Sequence, residues 1–437
     1  MAGSNVNTRE IILGILLEVT RDGEYSHIAI RNTLEKYQYL EKQERSFITR
    51  VCEGTLEHMI TIDYMIDQFS TVKARKMKPV LRCILRSSVY ELKYMDAVPP
   101  SATCNEAVKL AQKKGFRSLK GFVNGVLRNI SRNLDTISLP DPQDSPLGYL
   151  SVAYSMPMWI LEVWKKSYSI DQIEGFLKSF FSPSPTVIRI NLLKISKKDL
   201  INELEAEGIK VSEDTGVSDA LFISGYDYLG KVPGFQEGKF YVQDLSSMQV
   251  SLWAEPKKGD YVIDVCAAPG GKSIHMAELM QGTGIVEARD LTPYKVSLIQ
   301  ENIVRCQLQN IYPLVADARV LDPGKVGKAD IVIADLPCSG LGAIGKRSDI
   351  KYKVSPEMCQ ELALLQREIL HTVQQYVKPG GILMYSTCTI NPAENEENVS
   401  WFLGSHPHFS LERQQQILPQ EKTNDGFFLA KLRCVGE

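Results

Sequence analysis

Residues 236–437 alternate short apolar runs with helix-length segments, and this alternation constrains the fold more strongly than any other feature of the chain. The apolar runs have the length and composition of buried strands. Strands that alternate with helices in this way form a parallel sheet with helices on both faces. We therefore predict a doubly wound α/β domain. The predicted strands are 261–265, 284–288, 311–315, 329–334 and 381–384, and helices begin at Lys272, Pro293 and Pro356.

The preceding part of the chain shows different patterns. Apolar residues recur at helical spacing throughout 5–133, which predicts an all-α domain. The proline-rich polar stretch 138–146 predicts a linker. A small α+β domain follows, with predicted helices 159–178 and 197–207, a strand at 186–192 and short strands near Ile209 and Leu221. We therefore predict three domains, at 1–140, 141–235 and 236–437.

The composition indicates a globular protein of a reducing compartment. Hydrophobic residues make up 44% and charged residues 23% of the 437 positions, as in ordinary globular proteins. No stretch approaches the roughly 20 apolar residues that a membrane span needs, and the N-terminus lacks a signal-peptide pattern. Nine scattered cysteines do not suggest a disulfide framework. We therefore predict a cytoplasmic protein that binds no membrane.

Charge is distributed unevenly along the chain. The formal net charge is −2, but residues 1–133 carry 21 Lys and Arg against 14 Asp and Glu. A basic segment on an otherwise mildly acidic protein suggests a polyanion as partner. The alternative is an ordinary solvated helical surface, and charge alone does not decide between the two.

A turn rich in small residues follows the first predicted strand of the α/β domain. Its two glycines let the backbone approach a ligand closely, and the helix that begins beyond it offers unpaired N–H groups. Asp290 and Asp317 follow the next two strands, at a spacing that suits ribose hydroxyls and an adenine amine. The alternative is a tight turn that binds no ligand. The candidate cofactor-binding residues are Cys266, Ala267, Ala268, Pro269, Gly270, Gly271, Lys272, Asp290, Asp317 and Asp335.

The same turn partly matches a phosphate-binding loop. Gly271-Lys272-Ser273 has the form of the end of such a loop, which would make the protein a nucleoside triphosphatase. The first glycine of that motif falls on Cys266, so the phosphate cradle is incomplete. We therefore favour a nucleoside ligand without a triphosphate.

Two cysteines follow the last two predicted strands. Cys338 lies in Asp-Leu-Pro-Cys-Ser-Gly and Cys388 in Ser-Thr-Cys-Thr. Residues just past the carboxyl ends of parallel strands face the crevice in which such sheets bind ligands. A thiolate is a strong nucleophile, so this placement suggests covalent chemistry. The alternative, two inert structural cysteines, fits either one alone better than both.

A thiolate pair of this kind suits the alkylation of a pyrimidine. Carbon 5 of the ring is too electron-poor to attack a methyl donor, but addition of a thiolate at carbon 6 makes it nucleophilic. The reaction also needs an acid at the base edge, and Asp335 stands three residues before Cys338. Spacing alone does not tell which cysteine attacks. The candidate catalytic residues are Cys388, Cys338, Asp335 and Lys272, and no metal site is predicted.

These motifs resemble those of the cytosine-C5 RNA methyltransferases of the Nol1/Nop2/Sun family. The resemblance extends over nearly the whole chain, including the Asp-x-Cys-Ala-Ala-Pro-Gly-Gly-Lys turn and the Asp-Gly-Phe-Phe segment at 425–428. Residues 5–133 resemble a NusB-like domain, which marks the bacterial branch that acts on 16S ribosomal RNA. The middle segment is similar to the small RNA-recognition-like domain of the family. The last domain corresponds to its Rossmann-like methyltransferase domain.

The resemblance implies a cofactor and a role for each site residue. S-adenosylmethionine would lie over the turn, with its ribose on Asp290 and its adenine near Asp317. Cys388 would be the nucleophile and Cys338 would help to release the product. Asp335 would hold and polarise the cytosine, and Lys272 would line the same pocket. DNA cytosine methyltransferases attack with the cysteine of a Pro-Cys motif, so the swapped assignment stays open.

The resemblance also implies a partner. We expect a monomer that methylates a cytosine of 16S rRNA and does not act on DNA. The alternatives are the same chemistry on tRNA or 23S rRNA, and a catalytically silent RNA-binding module. Candidate RNA contacts are Lys73, Arg75, Lys76, Lys78, Lys109, Lys113, Lys114, Arg117, Lys120, Arg189, Lys194, Lys197 and Lys198. The chain departs from the family pattern at several positions. We expect Leu336 to tighten the pocket, and the loop with Gly345 and Ser348 lacks a positive charge and a proline that would serve phosphate contacts. Arg289 has no explanation in the sequence.

Overall fold

The computed structural model describes residues 7–182, 185–419 and 424–436. Residues 5 and 6 of the predicted helical segment therefore lie outside the described residues. The chain divides into two compact units. The first comprises residues up to Glu174 together with Lys346–Lys353, and the second comprises Gly175–Gly345 together with the residues from Val354 onward. The chain thus leaves the second unit after Gly345 and returns to it at Val354.

The described part of the first unit is helical, which confirms the all-α prediction. Asn7 caps its first helix by accepting the backbone N–H groups of Arg9 and Glu10. Pro100 begins α6, as the proline pair predicts. The helices are α1 (Thr8–Thr20), α2 (Ser26–Lys36), α3 (Lys42–Glu57), α4 (Met59–Phe69), α5 (Pro79–Tyr94), α6 (Pro100–Lys113), α7 (Lys120–Asn133), α8 (Pro146–Ala153) and α9 (Met158–Trp164).

Apolar side chains from α1 to α7 form the core of the first unit. Ile12 and Leu16 of α1 and Val51 of α3 are almost completely buried, as their helical spacing predicts. Two ion pairs border this core, Arg9–Glu91 with Nη2 2.6 Å from Oε2 and Arg86–Asp63. The first unit therefore has an apolar helical core that is bordered by these two ion pairs.

The segment Lys346–Lys353 docks into the first unit through polar contacts. Asp349 accepts the backbone N–H of Ser26 at 2.9 Å. Lys351 is buried and its Nζ donates to the carbonyl of Glu57 at 2.8 Å. Burial lowers the pKa of Lys351 to about 7, and the nearby Glu57 carboxylate offsets only part of this effect. Burial therefore disfavours the protonated, charged form of Lys351.

The predicted helix 159–178 is wrong, because the structure divides it into α9 and α10 (Ile170–Phe181). Ser169 begins the second helix: its Oγ accepts the N–H of Gln172 at 3.2 Å. The side chain of Gln172 accepts the N–H of Ser169 at 2.9 Å. This reciprocal pair is a capping box, which starts a new helix. The Ser-x-x-Gln spacing is visible in the sequence and was the signal for the break.

The second unit contains a small four-stranded antiparallel sheet of order β2-β3-β1-β4. Ile188 and Ile190 of the central strand pack against Leu200 and Leu204 of α11. This α+β arrangement confirms the predicted middle domain. Its elements are β1 (Thr186–Ile190), α11 (Lys197–Ala206), β2 (Lys210–Ser212), β3 (Ala220–Ser224) and β4 (Phe240–Val242).

A seven-stranded sheet of order β10-β11-β9-β8-β5-β6-β7 forms the rest of the second unit. Strands β5 to β9 are parallel, and the helices between them pack on the sheet, so the Rossmann-like prediction is confirmed. The strands are β5 (Tyr261–Asp264), β6 (Ile285–Asp290), β7 (Ile311–Val315), β8 (Ala329–Asp335), β9 (Val377–Thr387), β10 (Phe409–Ile417) and β11 (Phe427–Cys434). The helices are α12 (Leu245–Ala254), α13 (Gly271–Leu279), α14 (Pro293–Cys306), α15 (Pro356–Val373) and α16 (Glu396–Ser405).

The sheet is mixed rather than purely parallel as predicted. β11 lies between β9 and β10 and is antiparallel to both. The polar, largely exposed sequence of β10 lacks the apolar run that marks a buried strand, which is why this pair was missed. At one end of the sheet, Gly426 donates to Gly342 at 2.8 Å. A Cβ on Gly342 would come within 1.9 Å of the Gly426 carbonyl oxygen, so this close approach requires glycine.

Among the described residues, no helix is long and apolar enough to cross a membrane. The nine cysteines, all of which lie in the described residues, form no disulfide.

Candidate active site

The sheet order brings the predicted site residues to one edge. Because β9, β8, β5 and β6 are neighbouring parallel strands, the loops at their carboxyl ends lie side by side. Asp335 and Asp290 are the last residues of β8 and β6. Cys388 directly follows β9, and the turn that begins at Val265 follows β5. The structure therefore brings these predicted residues to one edge of the sheet.

The turn between β5 and α13 is held by the end of the neighbouring strand. Asp290 is buried, and its carboxylate accepts the N–H groups of Ala268 at 3.0 Å and of Leu291 at 2.8 Å. Lys295 lies 3.2 Å from the same carboxylate. Gly270 has a φ of 106°, a conformation that favours glycine, directly before the helix begins. The backbone of this turn is thus fixed before any ligand binds.

Side chains of the small sheet and of α14 support the same turn from below. Arg189 donates to the carbonyl of Gly271 at 3.1 Å, and Asn302 donates to that of Pro269 at 3.1 Å. A Cβ on Gly271 would lie 3.1 Å from the ring of Tyr241, so the turn rests directly on that ring. Arg189 is buried and also pairs with Glu278, with Nε 3.1 Å from Oε2. The prediction of Arg189 as an RNA contact is therefore wrong, because its guanidinium is used inside the protein.

Asp264, the last residue of β5, is a buried acid beneath the turn. It accepts a hydrogen bond from the Ser273 hydroxyl at 2.6 Å. Burial raises the pKa of Asp264 to about 7, although Ser273 and Lys272 act in the opposite direction. Neutral and ionised forms are therefore both accessible near neutral pH. The sequence analysis assigned no role to this residue.

Lys272 and Asp335 form a partly buried ion pair. Nζ of Lys272 lies 2.5 Å from Oδ2 of Asp335, and Ser386 donates to the other carboxylate oxygen at 2.7 Å. Burial is the largest influence on the pKa of Lys272 and acts to lower it. The charge and hydrogen bond of Asp335, together with Asp264 and Cys388, outweigh burial, and the net shift is upward. The ammonium also lies 5.6 Å from the centre of the Phe427 ring. Ser386 and Phe427 are site residues that the sequence analysis missed.

The two cysteine loops meet. Sγ of Cys338 lies 3.2 Å from Sγ of Cys388, and the N–H of Cys388 points to Sγ of Cys338 at 3.3 Å. Both side chains are partly accessible. The hydrogen bond to Cys388 is the largest cause that raises the pKa of Cys338, followed by burial. Cys338 is therefore the member of the pair that keeps its proton more firmly.

Two predicted cofactor residues differ in their surroundings. The carboxylate of Asp317 is partly exposed and forms an ion pair with Arg319, with Nη2 2.7 Å from Oδ2. This pair lowers the pKa of Asp317. Cys266 lies in the turn, where burial raises the pKa of its thiol. Cys266 thus contributes a small neutral side chain rather than a nucleophile.

The residues at this edge fit a cationic nucleoside cofactor. Three acids, Asp290, Asp317 and Asp335, stand at or just past the ends of neighbouring strands, and the only turn cation, Lys272, is already paired with a carboxylate in the described structure. Triphosphate binding needs unpaired cations and N–H groups, so this set suits it poorly. Carboxylates and a small-residue turn suit ribose hydroxyls, an adenine amine and a positive sulfonium.

Comparison with known proteins supports this reading. The family profile described as 16S rRNA methyltransferase RsmB/F matches residues 251–433. The NusB family matches 6–132, and a ferredoxin-like domain of RsmF/B-like methyltransferases matches 156–226. A probable ribosomal RNA small subunit methyltransferase B of Bacillus subtilis strain 168 is 34% identical, over 98% of this chain and 99% of its own length. The chain belongs to the ribosomal RNA small subunit methyltransferase B family. A further member, from Synechocystis, is 32% identical over 98% of this chain and 99% of its own.

Solved structures agree with this family membership. The crystal structure of PH0851 has a TM-score of 0.82 and 29% identity, and covers 98% of this chain and 99% of its own. A structure of NSun6 from Pyrococcus horikoshii with SFG, an S-adenosylmethionine analogue, has a TM-score of 0.58 and 25% identity. It covers 63% of this chain and 97% of its own. This member of the methyltransferase B family is an S-adenosylmethionine-dependent methyltransferase, with the 264–273 turn, Asp290 and Asp317 as the residues that suit the cofactor.

Proposed function

We propose that this protein methylates carbon 5 of a cytosine in small-subunit ribosomal RNA, with Cys388 as nucleophile and Cys338 as the base that releases the product. The observation that carries the proposal is the 3.2 Å separation of the two thiols, next to the Lys272–Asp335 pair. Two thiols in one ligand crevice suit a reaction in which one sulfur adds to the substrate and the other removes a proton.

The electrostatics of the thiol pair favour this division of roles. Cys388 and burial raise the pKa of Cys338, which favours the protonated form of Cys338 and leaves Cys388 as the candidate nucleophile. Lys272 lies close enough to Cys388 to interact with its charge. The thiolate is the reactive form, so Cys388 is the sulfur that adds to carbon 6.

In the later steps Cys338 acts as the base and Cys388 is the leaving group. Addition of Cys388 moves an electron pair onto carbon 5, which takes the methyl group that the sulfonium cofactor supplies. Once Cys388 is bonded to carbon 6 its charge is gone, and Cys338 can lose its proton to solvent. The Cys338 thiolate then removes the proton from carbon 5. The electrons of that bond expel Cys388 as a thiolate, which restores the starting state with the release of one proton.

Asp335 is proposed to bind the edge of the cytosine. Its carboxylate is oriented by Lys272 at 2.5 Å and Ser386 at 2.7 Å, which fix it beside the thiol pair. An ionised carboxylate accepts a hydrogen bond from the exocyclic amine of cytosine, which uracil lacks. This contact gives a physical reason for the choice of base.

An RNA substrate is supported by the family and by the distribution of charge. The B. subtilis relative is described as acting on small-subunit ribosomal RNA, and the basic residues of the first unit include Lys73, Arg75, Lys76 and Lys78. Such residues contact phosphates and offset the cost of moving a base out of its stack. We retain the three predicted domains, a monomeric state and a cytoplasmic location as proposals.

Covalent trapping tests the proposal directly. The protein is incubated with S-adenosylmethionine and an unmodified transcript of small-subunit RNA, and 5-methylcytosine is measured by mass spectrometry. We expect Cys338→Ala to accumulate a covalent protein–RNA complex, because the adduct forms and is not released. Cys388→Ala should form none, and both variants should lose turnover.

A buried cysteine in the same unit provides the control. Cys306→Ala, distant in sequence from both cysteine loops, should methylate RNA as the wild type does. A complex that accumulates with Cys388→Ala instead would reverse the two roles. RNA binding without any methyl transfer by the wild type would refute the proposed activity and favour a silent RNA-binding module.

A further inference from the structure

Glu394 is a fully buried carboxylate directly behind the two cysteine loops. It has no accessible surface and lies at the end of a short turn before α16. Oε2 accepts the N–H of Ser339 at 2.8 Å, and Oε1 accepts the hydroxyl of the same residue at 2.5 Å. Ser339 directly follows Cys338 in the chain. The carboxylate therefore grips the loop that carries this thiol.

The same carboxylate holds the other cysteine loop. Asn391, three residues after Cys388, donates from Nδ2 to Oε1 at 2.9 Å. The hydroxyls of Ser339 and Thr389 lie 2.9 Å apart and form a second link between the loops. Two loops that are 50 residues apart in sequence are thus joined through one side chain. Their separation sets the distance between the two sulfur atoms.

A helix completes the set of donors. Gln366 of α15 donates to Oε2 of Glu394 at 3.1 Å and to the carbonyl of Pro337 at 2.9 Å. Among the described residues, the carboxylate therefore receives four hydrogen bonds, two at each oxygen. An ionised carboxylate has about four acceptor sites and no donor, so this set matches the charged form.

The charge of Glu394 also affects the thiol of Cys338. After the hydrogen bond to Cys388, burial and the charge of Cys388, Glu394 is the next cause that raises the pKa of Cys338, and the N–H of Gly340 opposes it. The other titratable groups nearby are Tyr385, whose hydroxyl is buried, and Cys359, whose pKa is raised to about 12 by burial and by Glu394. Lys272, paired with Asp335, interacts with Cys388.

We propose that Glu394 is a positioning residue that joins the two cysteine loops through its hydrogen bonds to Ser339 and Asn391, and that its negative charge makes Cys388, rather than Cys338, the more reactive thiol. The residue acts through the two thiols and Ser339 and does not itself touch the substrate. The role of Glu394 in catalysis rests on the proposed function. Its effect on the reactivity of the two thiols can be measured in the free protein.

Alkylation by iodoacetamide, followed at each cysteine by mass spectrometry as a function of pH, tests the charge. In the wild type, Cys388 should react at lower pH than Cys338. In Glu394→Gln, the apparent pKa of Cys338 should fall by about one unit or more, because a nearby negative charge is removed. The preference for Cys388 should then shrink about tenfold or more. Glu394→Asp keeps the charge and should retain most of the preference.

Glu397→Gln is the matched control. Glu397 is exposed and belongs to the same helix start, so its loss should leave both alkylation profiles unchanged. A folded Glu394→Gln with the wild-type profile at Cys338 would overturn the inference. If Glu394→Gln does not fold, the wild type still decides, because equal reactivity of the two thiols from pH 6 to 9 would also overturn it.

A second measurement separates this inference from the proposed function. Alkylation needs neither RNA nor cofactor, so a wrong order of reactivity refutes the inference alone. Absence of methyl transfer by the wild type refutes the proposed function alone. Where both hold, Glu394→Gln should shift the pH profile of kcat and leave the KM for S-adenosylmethionine within about threefold, since the residue lies behind the thiols rather than beneath the cofactor turn.

Discussion

The two units each contain a largely buried lysine, and the pKa values of these two lysines shift in opposite directions. In the second unit, Lys272 lies 2.5 Å from the carboxylate of Asp335, and its pKa is raised although burial acts to lower it. In the first unit, Lys351 donates to the backbone carbonyl of Glu57, and burial lowers its pKa to about 7. Burial alone therefore does not determine the charge of a lysine. At Lys272 the attraction of nearby negative groups offsets the lost hydration.

The difference separates a lysine of the proposed active site from one that anchors a segment of the first unit. Lys272 lies beside a carboxylate, in the crevice where we propose that the cytosine binds. Lys351 can lose its proton at neutral pH, and the neutral amine can still donate to the carbonyl of Glu57 at the C-terminal end of α3. The predictions below remove buried or exposed charges one at a time, beginning with the partner of Lys272.

The largest effect is expected from removing the partner of Lys272. In Asp335→Asn, the lysine loses the carboxylate and its pKa should fall by several units, toward that of Lys351. The cytosine contact is lost as well, so we expect methyl transfer to slow by about 10³-fold or more. Single-turnover rates from pH 6 to 10 measure this. Retention of more than a tenth of the wild-type rate would show that Asp335 is not at the reacting base.

A large effect on stability is expected from Lys351→Met. The folded pKa of about 7 lies below the ordinary value of 10.5, so between these values the unfolded chain binds more protons. Stability of the first unit therefore rises with pH across this window, by up to about 1.4 kcal/mol per pH unit, and the contribution of the lysine is least favourable below pH 7. Lys351→Met should abolish this slope in urea unfolding from pH 7 to 9.

The exposed Lys36 gives the control for this experiment. Lys36→Met should leave the pH dependence of unfolding unchanged, since this side chain is exposed to solvent in the folded protein. If Lys351→Met keeps the wild-type slope, Lys351 is not the group that titrates.

An intermediate effect is expected at Arg189, a third buried cation. It is paired with Glu278 and donates to the Gly271 carbonyl at 3.1 Å, so it supports the cofactor turn without facing the substrate. Arg189→Met should raise the dissociation constant of S-adenosylmethionine about tenfold and leave RNA binding within about twofold. Calorimetry and RNA gel shifts measure the two. Lys210→Met, at an exposed position of β2 in the same small sheet, should change neither.

The smallest effect is expected at a solvent-exposed pair. Arg319 is 46% exposed and bonds Asp317, and solvent screens exposed ion pairs. Arg319→Gln should therefore leave the free energy of unfolding in urea nearly unchanged. If Asp317 contacts the cofactor adenine, affinity for S-adenosylmethionine should change by about threefold at most. A loss comparable to that of Arg189→Met would give Arg319 a direct role.

The sequence alone was sufficient to predict that the residues at and just after the strand ends lie close together. Short apolar runs mark β5, β6, β8 and β9, and parallel pairing brings their carboxyl ends together whatever the loops do. Cys338, Cys388, Asp335 and Lys272 could therefore be predicted as neighbours. Their roles could not, because the distance between the thiols and the direction of the Cys338 pKa depend on packing that spacing does not reveal.

The residues that support the site were out of reach for a different reason. Arg189 and Glu394 are charged, and a charged residue in a sequence is expected at the surface. Their burial depends on partners from distant segments, such as Gly271 for Arg189 and Ser339 for Glu394. Arg289, which the sequence left unexplained, is of the same kind, since it pairs with Glu287. Nothing in the structure explains Leu336.

The antiparallel insertion of β11 has a consequence for biosynthesis. β11 pairs along β9, and Gly426 donates to Gly342, whose own N–H donates to the Cys388 carbonyl. Translation produces both cysteine loops long before residues 426–434 leave the exit tunnel. A nascent chain therefore carries its two thiols in an unfinished sheet, because the strand that pairs along β9 on this side is the last one to be made.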